Sequence, residues 1–163
     1  MILRWFVALM LAQAQAPAAP PVTVVIQTEL GAIIVEVDVA HAPVTAANVL
    51  KYVDGEFYSG GMVNRSVRPD NTTRHDVEIQ VIQFQSDPKR AREGFPAIAL
   101  ERTSVTGLKH VDGALSMARS GPDSATSSFF ICVGDQPELD FGGKRNADGQ
   151  GFAVFGRVVS GMD

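Results

Sequence analysis

The stretch Gly113-Ala114-Leu115-Ser116-Met117-Ala118-Arg119-Ser120-Gly121-Pro122-Asp123-Ser124-Ala125-Thr126-Ser127-Ser128-Phe129-Phe130-Ile131 decides how this chain folds. Two short apolar runs, Ala114 to Ala118 and Phe129 to Val133, flank a segment rich in Gly, Pro, Ser and Asp, residues that end strands and turn the chain. The pattern predicts two strands and a connecting loop. Cys132, in the second run, is the only cysteine. No internal disulfide or thiolate zinc cluster can therefore form, and the apolar setting predicts a buried, inert thiol.

The same pattern extends outward. Met62 to Val67, Val77 to Phe84 and Phe152 to Val159 are further apolar runs bounded by Gly, Pro, Asn and Asp. Near the start, Val22 to Gln27 and Ala32 to Val39 are rich in Val and Ile and are joined by Thr28-Glu29-Leu30-Gly31, which predicts an opening hairpin. Pro43 can start a helix, Val49, Leu50 and Val53 give it an apolar side, and Gly55 can end it in the left-handed conformation. Arg68 to Asp76 and Phe141 to Gly151 read as loops. Asn146-Ala147-Asp148-Gly149 has a fragment of a calcium-loop pattern but lacks the alternating carboxylates and closing glutamate, so it reads as a turn. Strands this short, with one helix outside, predict a mainly β barrel or sandwich, in which closure removes exposed edges.

Composition excludes several functions. The 163 residues suit one domain, net charge is −4, and the 14 basic residues are scattered, so nucleic acid is not an expected partner. Arg4, the apolar run Trp5 to Leu11 and Ala12-Gln13-Ala14 together read as a signal peptide over residues 1–14, followed by a Pro/Ala-rich tether over 15–21 and a folded domain over 22–163. The apolar run falls well short of the ~20 residues of a membrane-spanning helix. A periplasmic or secreted monomer with no stable membrane insertion after removal of the leader is expected. There is no G-x-S-x-G elbow and no H-E-x-x-H, and His41, His75 and His110 are far apart, so neither a serine hydrolase nor a metal site is indicated. No cofactor is expected.

Three segments concentrate unusual residues: Tyr58-Ser59-Gly60-Gly61-Met62-Val63-Asn64-Arg65, Val81-Ile82-Gln83, and the stretch from Gly113 to Ile131. Together with Val24-Ile26-Thr28-Gly31, Ala42-Pro43-Thr45-Asn48, Leu139-Asp140, Phe155-Gly156-Val158 and Gly161-Met162-Asp163, they resemble the cyclophilin family over nearly the whole chain after the leader. The resemblance implies a closed eight-stranded antiparallel barrel with a proline-binding groove on its outside. Family members continue past Gly-Met-Asp into a further helix, whereas this sequence stops at Asp163, so either it is truncated there or the barrel carries one capping helix and is less covered at one end. The activity implied is cis/trans isomerisation of peptide bonds preceding proline, acting on proline-containing polypeptides.

Matched residue by residue, Arg65 stands for the catalytic arginine and Gln83 for the glutamine that holds it and the substrate. Val81, Met117, Phe130 and Leu139 stand for the groove floor, and the backbone at Ala118 and Arg119 for the peptide-binding edge. Strict alternation along the strand puts Val63, Arg65 and Val67 on one face and Arg68 on the other. Phe129 is expected in the core and His110 in a structural role. Some groove positions differ from the family. Val63-Asn64 replace a Phe-His pair, Phe84-Gln85 replace Gly-Gly, Ser128 replaces a glutamine in the substrate site, and Glu138 replaces an aromatic residue before Leu139. The alternative reading is a proline-peptide binding or chaperone module with little turnover.

Overall fold

A computed structural model of the chain describes residues 19–162. The expected leader and most of the expected tether lie outside them. Val, Ile and Phe, whose side chains suit a pleated surface, form seven strands: β1 (Val22–Thr28), β2 (Gly31–Val37), β3 (Met62–Val67), β4 (Val81–Gln85), β5 (Ala114–Met117), β6 (Phe129–Cys132) and β7 (Val154–Ser160). They make one sheet in the order β1-β2-β7-β5-β6-β4-β3, with every neighbouring pair antiparallel.

The sheet curls into a half-barrel with two distinct faces. On the inner face Val35, Val37, Phe84, Leu115, Met117, Phe129, Ile131 and Phe155 form one buried cluster, closed by Ala42, Ala46 and Val49 at the helix α1 (Pro43–Asp54). On the outer face Val67, Ile79, Val81, Ala114, Phe130, Cys132, Leu139, Phe152 and Val154 form a second. Cys132 is fully buried, and burial pushes its thiol up to about 12, which keeps it protonated and unreactive.

The expected eighth strand has no counterpart among the described residues. The sequence contains seven strand-forming runs, and the eighth came from the family resemblance alone. The edges β1 and β3 do not pair, and a cleft of about 670 Å³, lined by Val24, Ile26, Val49, Val63, Phe84 and Phe129 among others, separates them. Among the described residues the sheet is thus open and curled, where a closed barrel was expected.

Pro43 sits in the first turn of α1 as expected, but the start of the helix depends on a distant residue. The Glu101 carboxylate accepts the Val44 N–H at 3.1 Å, the Thr45 N–H at 2.7 Å and the Thr45 hydroxyl at 2.6 Å, satisfying donors that a helix N-terminus leaves free. At the other end Gly55 is not left-handed; its φ is −81°. Glu56 carries the positive φ instead, and Gly55 provides room, since a Cβ there would lie 2.8 Å from the Phe57 ring. Among the described residues no helix is long and apolar enough to cross a membrane.

Candidate active site

The site is built from strand register. Residues directly opposite on antiparallel strands project on the same face. Arg65 pairs with Gln83, Gln83 with Phe130, Phe130 with Ser116, and Ser116 with Val154. One row therefore crosses β3, β4, β6, β5 and β7 on the outer face, bringing together residues up to 89 positions apart in the chain (154 − 65). Val81 and Leu139 are buried beside this row in the same cluster, and Ala118 packs against it.

Arg65 is exposed, and no carboxylate lies within ion-pair range of it among the described residues. Gln83 faces it across the strand pair, but no side-chain hydrogen bond joins the two. The guanidinium is thus a free donor group at one end of a row whose middle is an aromatic ring. Phe130 is held from two sides: Phe152 stands edge-on to it, with ring centroids 5.5 Å apart at 86°, and His110 lies roughly parallel to it at 6.1 Å.

Below Phe130 is a buried polar chain. His110 Nε2 is 2.9 Å from the Ser116 hydroxyl, and His110 Nδ1 is 2.8 Å from the Asp140 carboxylate. Burial lowers the affinity of the imidazole for a proton more than Asp140 raises it, so His110 is neutral at pH 7. Burial also pushes the Asp140 carboxyl up, but hydrogen bonding and attraction from His110 outweigh it and the group titrates below its ordinary value. The Ser-His-Asp order looks like a hydrolase triad. Ser116 is fully buried beneath the sheet's cover, however, and cannot reach a substrate carbonyl. The chain supports Phe130.

Two of the expected site residues fall outside this group. Met117 belongs to the inner cluster: it pairs with Phe129, and alternation along β5 turns it away from Ser116 and Ala118. Ser128 accepts the Ala118 N–H at 2.9 Å through its carbonyl and lines a separate pocket of about 240 Å³ with Ser86, Arg90 and Phe95. Val63 also departs from expectation. A bulge at Asn64 breaks the alternation, so Val63 pairs with Phe84 on the inner side while Arg65 pairs with Gln83 on the outer side. Arg68 lies just past β3 and pairs with Asp70 at 3.1 Å. Glu138 turns its carboxylate onto the backbone N–H of Lys144 at 2.8 Å.

Arg119 has a side chain as well as a backbone role. Its side chain is 1% exposed, and the guanidinium is bidentate to Asp148 and 5.0 Å from the centre of the Phe152 ring. Phe152 itself was not singled out from the sequence, where it reads only as the first residue of an apolar run. Among the described residues no cluster of three or more His, Cys, Asp or Glu side chains could hold a metal.

The family model described as "Cyclophilin type peptidyl-prolyl cis-trans isomerase/CLD" matches residues 23–163. The chain belongs to this family. It is 36% identical over 138 residues to a peptidyl-prolyl cis-trans isomerase of Acinetobacter baylyi, covering 84% of this chain and 66% of that one. It is 37% identical over 141 residues to peptidyl-prolyl cis-trans isomerase A of Dickeya dadantii, covering 86% and 67%. The chain thus spans about two thirds of the length of these two isomerases. A crystal structure of a Cryptosporidium parvum cyclophilin-type isomerase, determined in the presence of the dipeptide Ala-Pro, superposes with a TM-score of 0.65 at 22% identity, covering 86% of this chain and 80% of that one. At that identity the likeness establishes the cyclophilin fold alone.

Proposed function

We propose that this cyclophilin accelerates cis/trans rotation about X-Pro bonds in exported polypeptides, with Arg65 stabilising the twisted amide and Phe130 seating the proline ring. The observation that carries the reading is the row Arg65, Gln83, Phe130 on three adjacent strands. It sets a cation, a polar amide and an apolar ring side by side on the outer face of the sheet.

The reaction needs nothing more. Rotation about the peptide C–N bond faces a resonance barrier of about 18–20 kcal/mol, and no covalent bond breaks. As the amide twists, resonance is lost and the prolyl nitrogen becomes pyramidal, presenting a lone pair that neither planar form offers. A guanidinium donor at that lone pair binds the transition state more tightly than either ground state, which lowers the barrier. Val81, Leu139 and the ring of Phe130 exclude water from the proline side, while the backbone at Ala118 and Arg119, matched to the family's peptide-binding edge, takes the extended peptide.

Export rests on the n-region, apolar run and A-x-A site at the N-terminus. After removal of this leader the protein is proposed to act as a monomer, free of the membrane and without cofactor or nucleic acid. One observation favours the alternative, a proline-peptide binding module: no side-chain hydrogen bond joins Arg65 and Gln83. Isomerisation of an X-Pro peptide, measured beside binding of the same peptide, decides. Rate enhancement that saturates with the binding constant supports the enzyme; binding without rate enhancement selects the module.

A further inference from the structure

Arg119 and Arg65 are opposite cases. Arg65 keeps its guanidinium free, whereas every nitrogen of the Arg119 guanidinium is committed. Its Nη1 and Nη2 donate to the two Asp148 carboxylate oxygens, both at 2.8 Å, and its Nε donates to the Gly151 carbonyl at 2.7 Å. With each nitrogen partnered and the side chain 1% exposed, the group is turned to the loop rather than to a substrate. It joins the end of β5 to a loop some thirty residues further along, at Asp148 and at Gly151, the glycine that introduces Phe152.

The loop is shaped to receive it. Gly151 has a φ of +66°, and a Cβ there would run into the backbone of Asp140 and Phe141, so the chain passes close against the turn that precedes it. Asp148 is fixed further by accepting the Gln150 N–H at 2.8 Å. The Phe152 N–H donates to the Leu139 carbonyl at 3.0 Å, and its ring lies between the Arg119 guanidinium and the Phe130 ring. With its backbone tied on one side and its face under a cation on the other, Phe152 has one place to stand.

We propose that Arg119 and Asp148 are positioning residues that hold Phe152 edge-on to Phe130 and so set the width of the proline seat. The inference rests on the isomerase reading above and adds the groups that shape its apolar pocket. The pair is a durable one: hydrogen bonding from Arg119 first, and from the Gln150 N–H second, brings the Asp148 carboxyl down to about 2, so the clamp stays ionised across the physiological range.

A seat wall touches proline in the planar and the twisted amide alike, so loosening it weakens both equally and appears in KM rather than kcat. The experiment is a cycle of Asp148→Ala, Phe152→Ala and the double variant on one X-Pro peptide, with kcat, KM and peptide Kd read for each. An edge contact between aromatic or apolar rings supports a change of about three- to tenfold. Asp148→Ala should therefore raise KM by about three- to tenfold with kcat within about twofold, and Asp148→Glu should recover most of the loss. Because Asp148 acts through Phe152, the double variant should be no worse than Phe152→Ala alone. If Asp148→Ala does not fold, Asp148→Asn, which keeps an acceptor for Arg119, replaces it in the same cycle. An unchanged KM in folded Asp148→Ala, or in Asp148→Asn where that replaces it, or effects of the two single variants that multiply in the double, overturns the clamp while leaving the isomerase intact. A parent protein that neither turns over nor binds the peptide overturns the isomerase reading, and the clamp with it.

Discussion

Replacing Arg65 with alanine isolates the proposed chemistry from the fold. The side chain is exposed, has no carboxylate partner among the described residues, and sits on a strand whose pairing with β4 uses backbone groups. Its loss should therefore change stability by no more than about 0.5 kcal/mol, as at other exposed positions without partners. Its proposed contribution to catalysis is that of one preorganised donor to a developing lone pair, about 2.7–4 kcal/mol, or roughly 10² to 10³ in rate. Isomerisation of an X-Pro peptide should fall by that factor while peptide Kd stays within a few-fold of the parent, because the planar amide does not present the lone pair. Arg65→Lys should also be impaired, since an ammonium on a flexible stem does not keep the planar fork. Arg68→Ala is the control: its exposed pair with Asp70 is worth at most about 1 kcal/mol, and turnover should remain within a few-fold of the parent. Full activity in Arg65→Ala, or its collapse in Arg68→Ala, would show that the catalytic residue has been misassigned.

Three further outcomes are expected. His110 binds its proton more weakly folded than unfolded, so below its ordinary value of 6.5 the unfolded state holds more protons and stability should fall as pH drops; a Tm that rises between pH 7 and pH 5, or a fall that His110→Gln leaves unaltered, would refute this. Glu101→Ala removes the carboxylate that caps α1 and strands the buried Thr45 donors, which should cost about 1–3 kcal/mol in urea unfolding, against a negligible change if the cap is unimportant. The exported protein should begin at Gln15 after cleavage at Ala14; an intact mass that still includes Met1 would rule out the leader.

The comparison of sequence with structure divides along a physical line. Features that depend on neighbours in the chain were legible: the seven strand runs, the hairpin at Thr28 to Gly31, and the helix from Pro43. The motif match also named Arg65, Gln83, Phe130, Val81 and Leu139, which the fold does bring to one face. What failed was the assignment of faces. Val63 was expected beside Arg65, but the extra residue at Asn64 reverses the alternation, and a bulge is created by the partner strand, which the local pattern does not contain. Met117 sits within the most specific motif, yet pairs with Phe129 and faces the inner core.

The single-turn α2 (Thr103–Thr106) and the 3₁₀ turns at Pro88–Glu93 and Pro137–Leu139 were also missed, since segments of three to six residues carry too little periodicity to be read. Phe152 was invisible as a site residue because its importance lies in its contacts with Phe130 and Arg119, 22 and 33 positions earlier in the chain. The amino-acid sequence alone determined which segments become strands, which family pattern they follow and which side chains can supply the chemistry. Only the tertiary structure decided which side of the sheet each one faces and which distant group holds it there, because register, bulges and ion pairs are set between segments rather than within them.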